Sequence, residues 1–234
     1  MSKRSDIDRF YGLLNLAKER EGGYRLLRDC TARTGWPTRG LYFFFEEGEF
    51  RRESKELRVV RVGTHALTDT SQTTLWNRLR THKGQGDGSG NHRGSIFRKR
   101  VGQAMLNRSA GSDKALHCTT WGQGQSAIRA IRDGEAFMER HVSEWIGAMP
   151  VLWLAVDDMH GKASSRGFLE RNSIALLSSF SREPVDPPSN NWLGKYSEQQ
   201  EIRESGLWNS EHVREDFAPK FLDLLATFVS ASHF

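Results

Sequence analysis

Cysteine is scarce in this 234-residue chain, which carries only Cys30 and Cys118. Neither sits at the close spacing of a zinc knuckle, and two isolated thiols make no disulfide framework, so a reducing, cytoplasmic setting is expected. Long hydrophobic runs are missing as well. The longest, Val151 to Val156, falls far short of the roughly 20 residues a helix needs to cross a bilayer, so no membrane span is expected. Met1 to Asp6 leads into a charged amphipathic stretch and not into the apolar segment of a secretory leader. No internal repeat is present.

Aromatic residues and positive charge are what the chain does have. Thirteen Phe and seven Trp accompany 37% hydrophobic residues, enough apolar material for a real core and against a disordered chain. Lys and Arg exceed Asp and Glu by 34 to 29, and the sequence pI is about 9.4, which favours a polyanionic partner such as nucleic acid.

Apolar spacing predicts two short helices within Ile7 to Ala32, broken at Gly22-Gly23. Leu41 to Phe45 and Leu57 to Val62 are β-branched or aromatic runs and predict an antiparallel hairpin, with Glu46 to Glu56 as its long turn. Thr73 or Thr74 caps a helix reaching His82, and Ile96 to Leu106 is a basic helix. Between them Gly84 to Gly94 holds five glycines and is a loop. Ala127 to Ile146 is expected as a helix in two pieces around Gly134, Met149 to Asp157 as a buried strand, Ser164 to Phe180 and Val213 to Val229 as helices. Pro184, Pro187 and Pro188 interrupt regular structure between the last two. The expected architecture is α+β: a small, mainly antiparallel, three-stranded sheet flanked by helices. Its organisation is expected as an N-terminal helical extension (1–37), a core (38–191) carrying basic and helical insertions (84–146), and a C-terminal helical extension (192–234) packing on the core.

Four short motifs follow one another along that pattern. Gly40-Leu41-Tyr42 opens the first strand, and Arg61-Val62-Gly63 closes the second. Leu75-x-x-Arg78-Leu79-x-x-His82 lies on the helix that follows, and Phe168-Leu169-Glu170-Arg171-Asn172 on the helix after the third strand. In this order the chain resembles the GIY-YIG nuclease superfamily over roughly residues 39 to 191. Arg61 stands where the family usually has its second tyrosine, and the connections from Tyr42 to Arg61 and from Gly63 to Leu75 are lengthened.

The resemblance implies a metal-dependent endonuclease cutting DNA, with Mg²⁺ or Mn²⁺ as cofactor, as a monomer or homodimer. It implies Glu170 as metal ligand, since a single hard carboxylate suits an ion that keeps several waters. Arg78 would clamp the scissile phosphate with its planar fork of donors. Tyr42 is the candidate for water activation, with His82 sharing the face of Arg78 and His65 just beyond the second strand as alternative bases. Arg61 suits phosphate better than a proton. Asn191 is the preferred asparagine to complete the site, with Asn190 and Asn172 as rivals. From Arg78 to Arg100 seven basic residues oppose one acid, Asp87, and Arg93, Arg98, Lys99 and Arg100 form a candidate track for the nucleic-acid backbone. The alternative is a nucleic-acid-binding module that keeps the fold without cutting.

Overall fold

A computed structural model describes residues 2–112, 115–159, 161 and 164–231. Strand β1 (Arg25–Leu26), β2 (Gly40–Phe50), β3 (Leu57–Gly63) and β4 (Pro150–Ala155) form one sheet in the order β1-β4-β2-β3, every pair antiparallel. The expected three strands are thus four. Arg25 and Leu26 pair with Val151 and Pro150 on the open edge of β4, and a two-residue strand is too short to leave a period in the sequence. The second short helix expected before Ala32 is replaced by this strand and a 3₁₀ turn at Leu27–Asp29.

Among the described residues there are seven helices: α1 (Lys3–Arg20), α2 (Leu75–Lys83), α3 (Ile96–Ser109), α4 (Arg129–Gly147), α5 (Ser165–Leu177), α6 (Gln200–Ser205) and α7 (Phe221–Ala231). Helix α4 runs through Gly134 unbroken, because one interior glycine costs only about 1 kcal/mol and the helix's buried face outweighs it. The last helix starts at Phe221, later than Val213, and α6 lies within the C-terminal segment. The hairpin turn is shorter than expected, since β2 continues to Phe50.

Strand β2 is central, and its run from Leu41 to Phe45 is buried on both sides, as a strand covered on both faces requires. Leu41, Phe43 and Phe45 pack on α1, α5 and α7 through Phe10, Leu169 and Phe221. Tyr42 and Phe44 point the other way, into a second cluster with Leu75, Leu79, Phe97 and Val142 from α2, α3 and α4. In β3 the register slips between Phe44↔Arg61 and Phe45↔Val59. This bulge at Val60 lets Val60 join the cluster of Phe44 while Arg61 is the residue paired with Phe44.

The outer edge of β3 is covered. Trp208 N–H donates to Val60 O at 2.7 Å, and the side chain of Asn209 bonds both backbone groups of Val62, at 2.8 and 3.0 Å. An edge strand whose ladder groups are satisfied this way cannot recruit another strand. The same segment roofs the end of the sheet that carries Tyr42 and Arg61.

Candidate active site

Two glycines allow the strands to close around Tyr42. A Cβ on Gly63 would lie 2.2 Å from the Cζ and Oη of Tyr42, and one on Gly40 would lie 2.3 Å from Leu154 O. Both contacts are impossible for any larger residue without movement of its neighbours. Tyr42, directly opposite Gly63 in the ladder, therefore lays its ring across the glycine and reaches α2.

There its hydroxyl meets His82 Nε2 at 3.0 Å. The other ring nitrogen, Nδ1, lies 2.8 Å from Ser95 Oγ, the N-cap of α3. Thr74 caps α2 by accepting from Asn77 N–H, and the period of that helix then buries Leu75, Leu79 and His82 together. Burial, followed by the charges of Arg78, Arg61 and Arg98, holds the imidazole of His82 well below its usual pKa. It is neutral at physiological pH.

Arg78 is half-buried on the same helix, and no hydrogen bond or ion pair occupies its guanidinium among the described residues. Arg61 is almost fully buried; its Nη1 donates to Trp208 O at 2.9 Å, its guanidinium lies 4.7 Å from the centre of the Phe97 ring, and its Nε has no partner. Glu170, half-buried on α5, accepts the Thr64 N–H on Oε1 at 3.1 Å and has no partner on Oε2. Burial pushes its carboxyl above the usual value against the pull of Arg61, the Thr64 N–H, His212 and Arg78. These residues come from β2, β3, α2 and α5, and the structure gathers Tyr42, Arg61, Arg78, His82 and Glu170 at one end of the sheet.

The loop after β3 is held rigidly beside them. Arg166, fully buried, ion-pairs with Asp158 and donates to His65 O at 2.7 Å and Ala66 O at 3.4 Å. Ala66 takes a left-handed backbone, φ +53°, a strained state that such clamping sustains. His65 Nε2–H donates to Thr38 O at 3.1 Å, leaving Nδ1 as a buried acceptor with no partner. Burial and the nearby Arg166, Arg78 and Arg39 lower its pKa to about 4. His65 is therefore neutral and carries an open acceptor at Nδ1.

The basic track is corrected in part. Arg98 has no exposed surface, and its guanidinium bonds Glu139, His82 O at 2.9 Å and Ser143 Oγ at 2.9 Å. Arg93 forms a two-pronged pair with Glu135 at 2.6 and 2.8 Å. Donors spent inside the protein cannot reach a phosphate. Lys99 and Arg100 remain half-buried. Asn191 also falls elsewhere: it is exposed and lines a cleft of about 960 Å³ with Trp145, Trp192 and Glu46, which none of Tyr42, Arg61, Arg78, His82 or Glu170 lines. Asn172 ties α5 to the C-terminal segment through Ala218 N–H, and Asn190 accepts from Lys195.

The asparagine at the site end of β3 is Asn209. No spacing rule marks it, because it follows the covering segment rather than the proline turn. Ser95, the cap of α3, was not singled out in the sequence, where nothing ties it to His82.

The family model for the GIY-YIG domain matches residues 1–233. The chain belongs to the GIY-YIG family. The glycines of Gly40-Leu41-Tyr42 and Arg61-Val62-Gly63 are packed against Leu154 O and the Tyr42 ring rather than lying at free turns. Comparisons with curated proteins and with solved structures match nothing. No described helix of this GIY-YIG protein is long and apolar enough to cross a membrane.

Proposed function

We propose that this chain is a metal-dependent endonuclease that hydrolyses DNA phosphodiester bonds. The observation that carries the reading is the meeting of the hydrogen-bonded Tyr42 and His82 with two arginines and a carboxylate that keeps an unpartnered oxygen. A structural cluster would close Arg78 and the second oxygen of Glu170 with hydrogen bonds; a site for phosphate leaves them open.

Glu170 fits a single hard cation. One oxygen is used by Thr64 N–H and the other is free, and no group of three or more metal-binding side chains occurs among the described residues. A Mg²⁺ or Mn²⁺ held by that one carboxylate and completed by water and phosphate oxygens is the chemistry such a donor set suits. When bound, it supplies a Lewis acid for the leaving oxygen.

The remaining steps belong to the chain's own groups. Arg78 presents its fork to the phosphate as negative charge builds there, and Arg61 adds a second positive charge from β3. Tyr42 holds the attacking water on the opposite side and is oriented by His82. Lys99 and Arg100 are the part of the basic track left to contact the DNA backbone. Asn209 holds Val62, and with it Arg61 and Gly63, in register.

Supercoiled plasmid incubated with the protein in Mg²⁺, in Mn²⁺ and in EDTA tests this directly. Nicking that needs the metal and is lost in Glu170→Ala, with DNA binding kept, is the expected result. Arg61 in place of a tyrosine favours the second reading, a binder that does not cut. DNA binding without cleavage under every condition would establish that one instead.

A further inference from the structure

Strand β2 turns Tyr42 and Phe44 to one face, and its period of two puts Glu46 next in that row. Glu46 is 8% exposed, and its Oε2 accepts two long hydrogen bonds from indoles, Trp192 Nε1–H at 3.3 Å and Trp208 Nε1–H at 3.4 Å. Its Oε1 has no hydrogen-bond partner among the described residues. Glu49, three positions on, shows what a buried carboxylate ordinarily receives. Arg58 Nε–H donates to it at 2.8 Å and Ser189 N–H at 3.1 Å. The remaining arm of Arg58 goes to Gly206 O, not to Glu46. Glu46 thus has no cation of its own, and taking a carboxylate out of water without one is costly. Burial pushes its carboxyl up to about 7, with Glu49 acting in the same direction and the two indole N–H groups and Arg58 against it.

Glu46 lines the cleft of about 960 Å³ bounded by α3, α4 and the segment after the prolines. Met105, Leu116, Trp145 and Met149 supply its apolar surface, and its other charged groups are Glu47, Glu49, Arg108, His141 and Glu144. Glu49 is neutralised by Arg58, which leaves three acids against one arginine and one histidine. Arg108 lays its guanidinium 5.0 Å from the centre of the Trp145 ring and makes no ion pair among the described residues. The cleft is therefore acidic on a chain whose net charge is +5. Such a surface repels phosphate, whereas a cation gains from the carboxylates and from the indole walls.

We infer that this cleft binds an organic cation, a guanidinium or primary ammonium on a short apolar stem, with the open oxygen of Glu46 as its acceptor. Such a group brings N–H donors for Glu46 and methylenes for Met105, Leu116 and Met149. The cleft lies at the end of β2 away from Tyr42, so the inference goes beyond the nuclease reading and stands or falls without it.

Isothermal titration calorimetry on the full chain at pH 6, 7 and 8 tests it with three probes. Agmatine stands for a free organic cation, N-acetyl-arginine amide for the side chain of a protein partner, and propyl phosphate is the anionic control. Binding of agmatine, of the arginine amide or of both is expected, and none of propyl phosphate; the tighter of the two cations names the source. The affinity should rise about tenfold from pH 6 to pH 8, because the ionised form of Glu46 is the one that binds. Glu46→Gln keeps the shape of the side chain and an oxygen for the indoles. It should weaken binding at pH 8 about 10- to 100-fold, the worth of a hydrogen bond to a charged group, and flatten the dependence on pH. His141→Gln and Glu144→Gln, which face the same cleft, should leave that dependence in place. A slope that persists in Glu46→Gln or disappears in His141→Gln, binding of neither cation, or binding of propyl phosphate in their place overturns the inference.

Discussion

Arg78 and Arg98 both place a positive charge beside His82, yet their surroundings are opposite. Arg98 sits in the 84–146 segment with every donor group engaged by Glu139, His82 O and Ser143. Glu139 is equally engaged: burial alone would raise it, but the His92 hydrogen bond and the Arg98 charge outweigh it and hold the carboxyl below the usual value. At the site end of the sheet the polar atoms are left incomplete instead. Among the described residues Arg78 makes no hydrogen bond or ion pair, Arg61 Nε and His65 Nδ1 are buried without a hydrogen-bond partner, and Glu170 keeps a free oxygen. Buried polar atoms are normally satisfied within the fold. Where they are not, and where arginine and carboxylate face one space, a ligand is the expected partner; where they are, the charges hold structure.

That contrast can be broken by exchanging the consequences of mutation. The largest effect belongs to Arg98→Met, which strands Glu139 as a buried charge. It should cost about 3–5 kcal/mol in denaturant unfolding, and a loss under 1 kcal/mol would mean that the inserted ion pairs are not structural. Arg78→Ala should do the reverse. Cleavage should drop about 10²–10³-fold, the scale for losing one preorganised donor at a developing charge, while stability stays within about 0.5 kcal/mol. A destabilised but active Arg78→Ala would put this arginine in the structural class.

Glu170→Gln sharpens the comparison with the smallest shift. Because its folded-state pKa is raised, Glu170 favours folding below its unfolded value, and that contribution is lost as pH rises through the folded value. At neutral pH the ionised form is therefore a cost. The neutral amide should raise the melting temperature at pH 7 and abolish metal-stimulated cutting. A fall in melting temperature at pH 7 would show instead that the carboxylate stabilises the fold.

Much of the site was readable one element at a time. The Leu41 to Phe45 run, the Thr74 cap with its Leu75, Leu79, His82 stripe, and the strand before Glu170 all produce local periods, and local periods survive in sequence. Arg93 and Arg98 were misread for a matching reason. A cluster of basic residues beside a glycine loop has the same composition whether it faces solvent or acids contributed by a distant helix, and Glu135 and Glu139 lie some forty positions further on. Asn191 was preferred for standing near the proline turn, while Asn209 reaches Val62 only because the chain doubles back along the edge of β3.

The sequence by itself determined the α+β class, the two strands that carry Tyr42 and Arg61, and the helix face shared by Arg78 and His82, because each depends on residues close enough to share one period. Only the tertiary structure decided which of the charges are paired, which histidine nitrogen faces Tyr42, and that a fourth strand and a covering tail close the sheet, because each of these depends on groups brought together from distant parts of the chain.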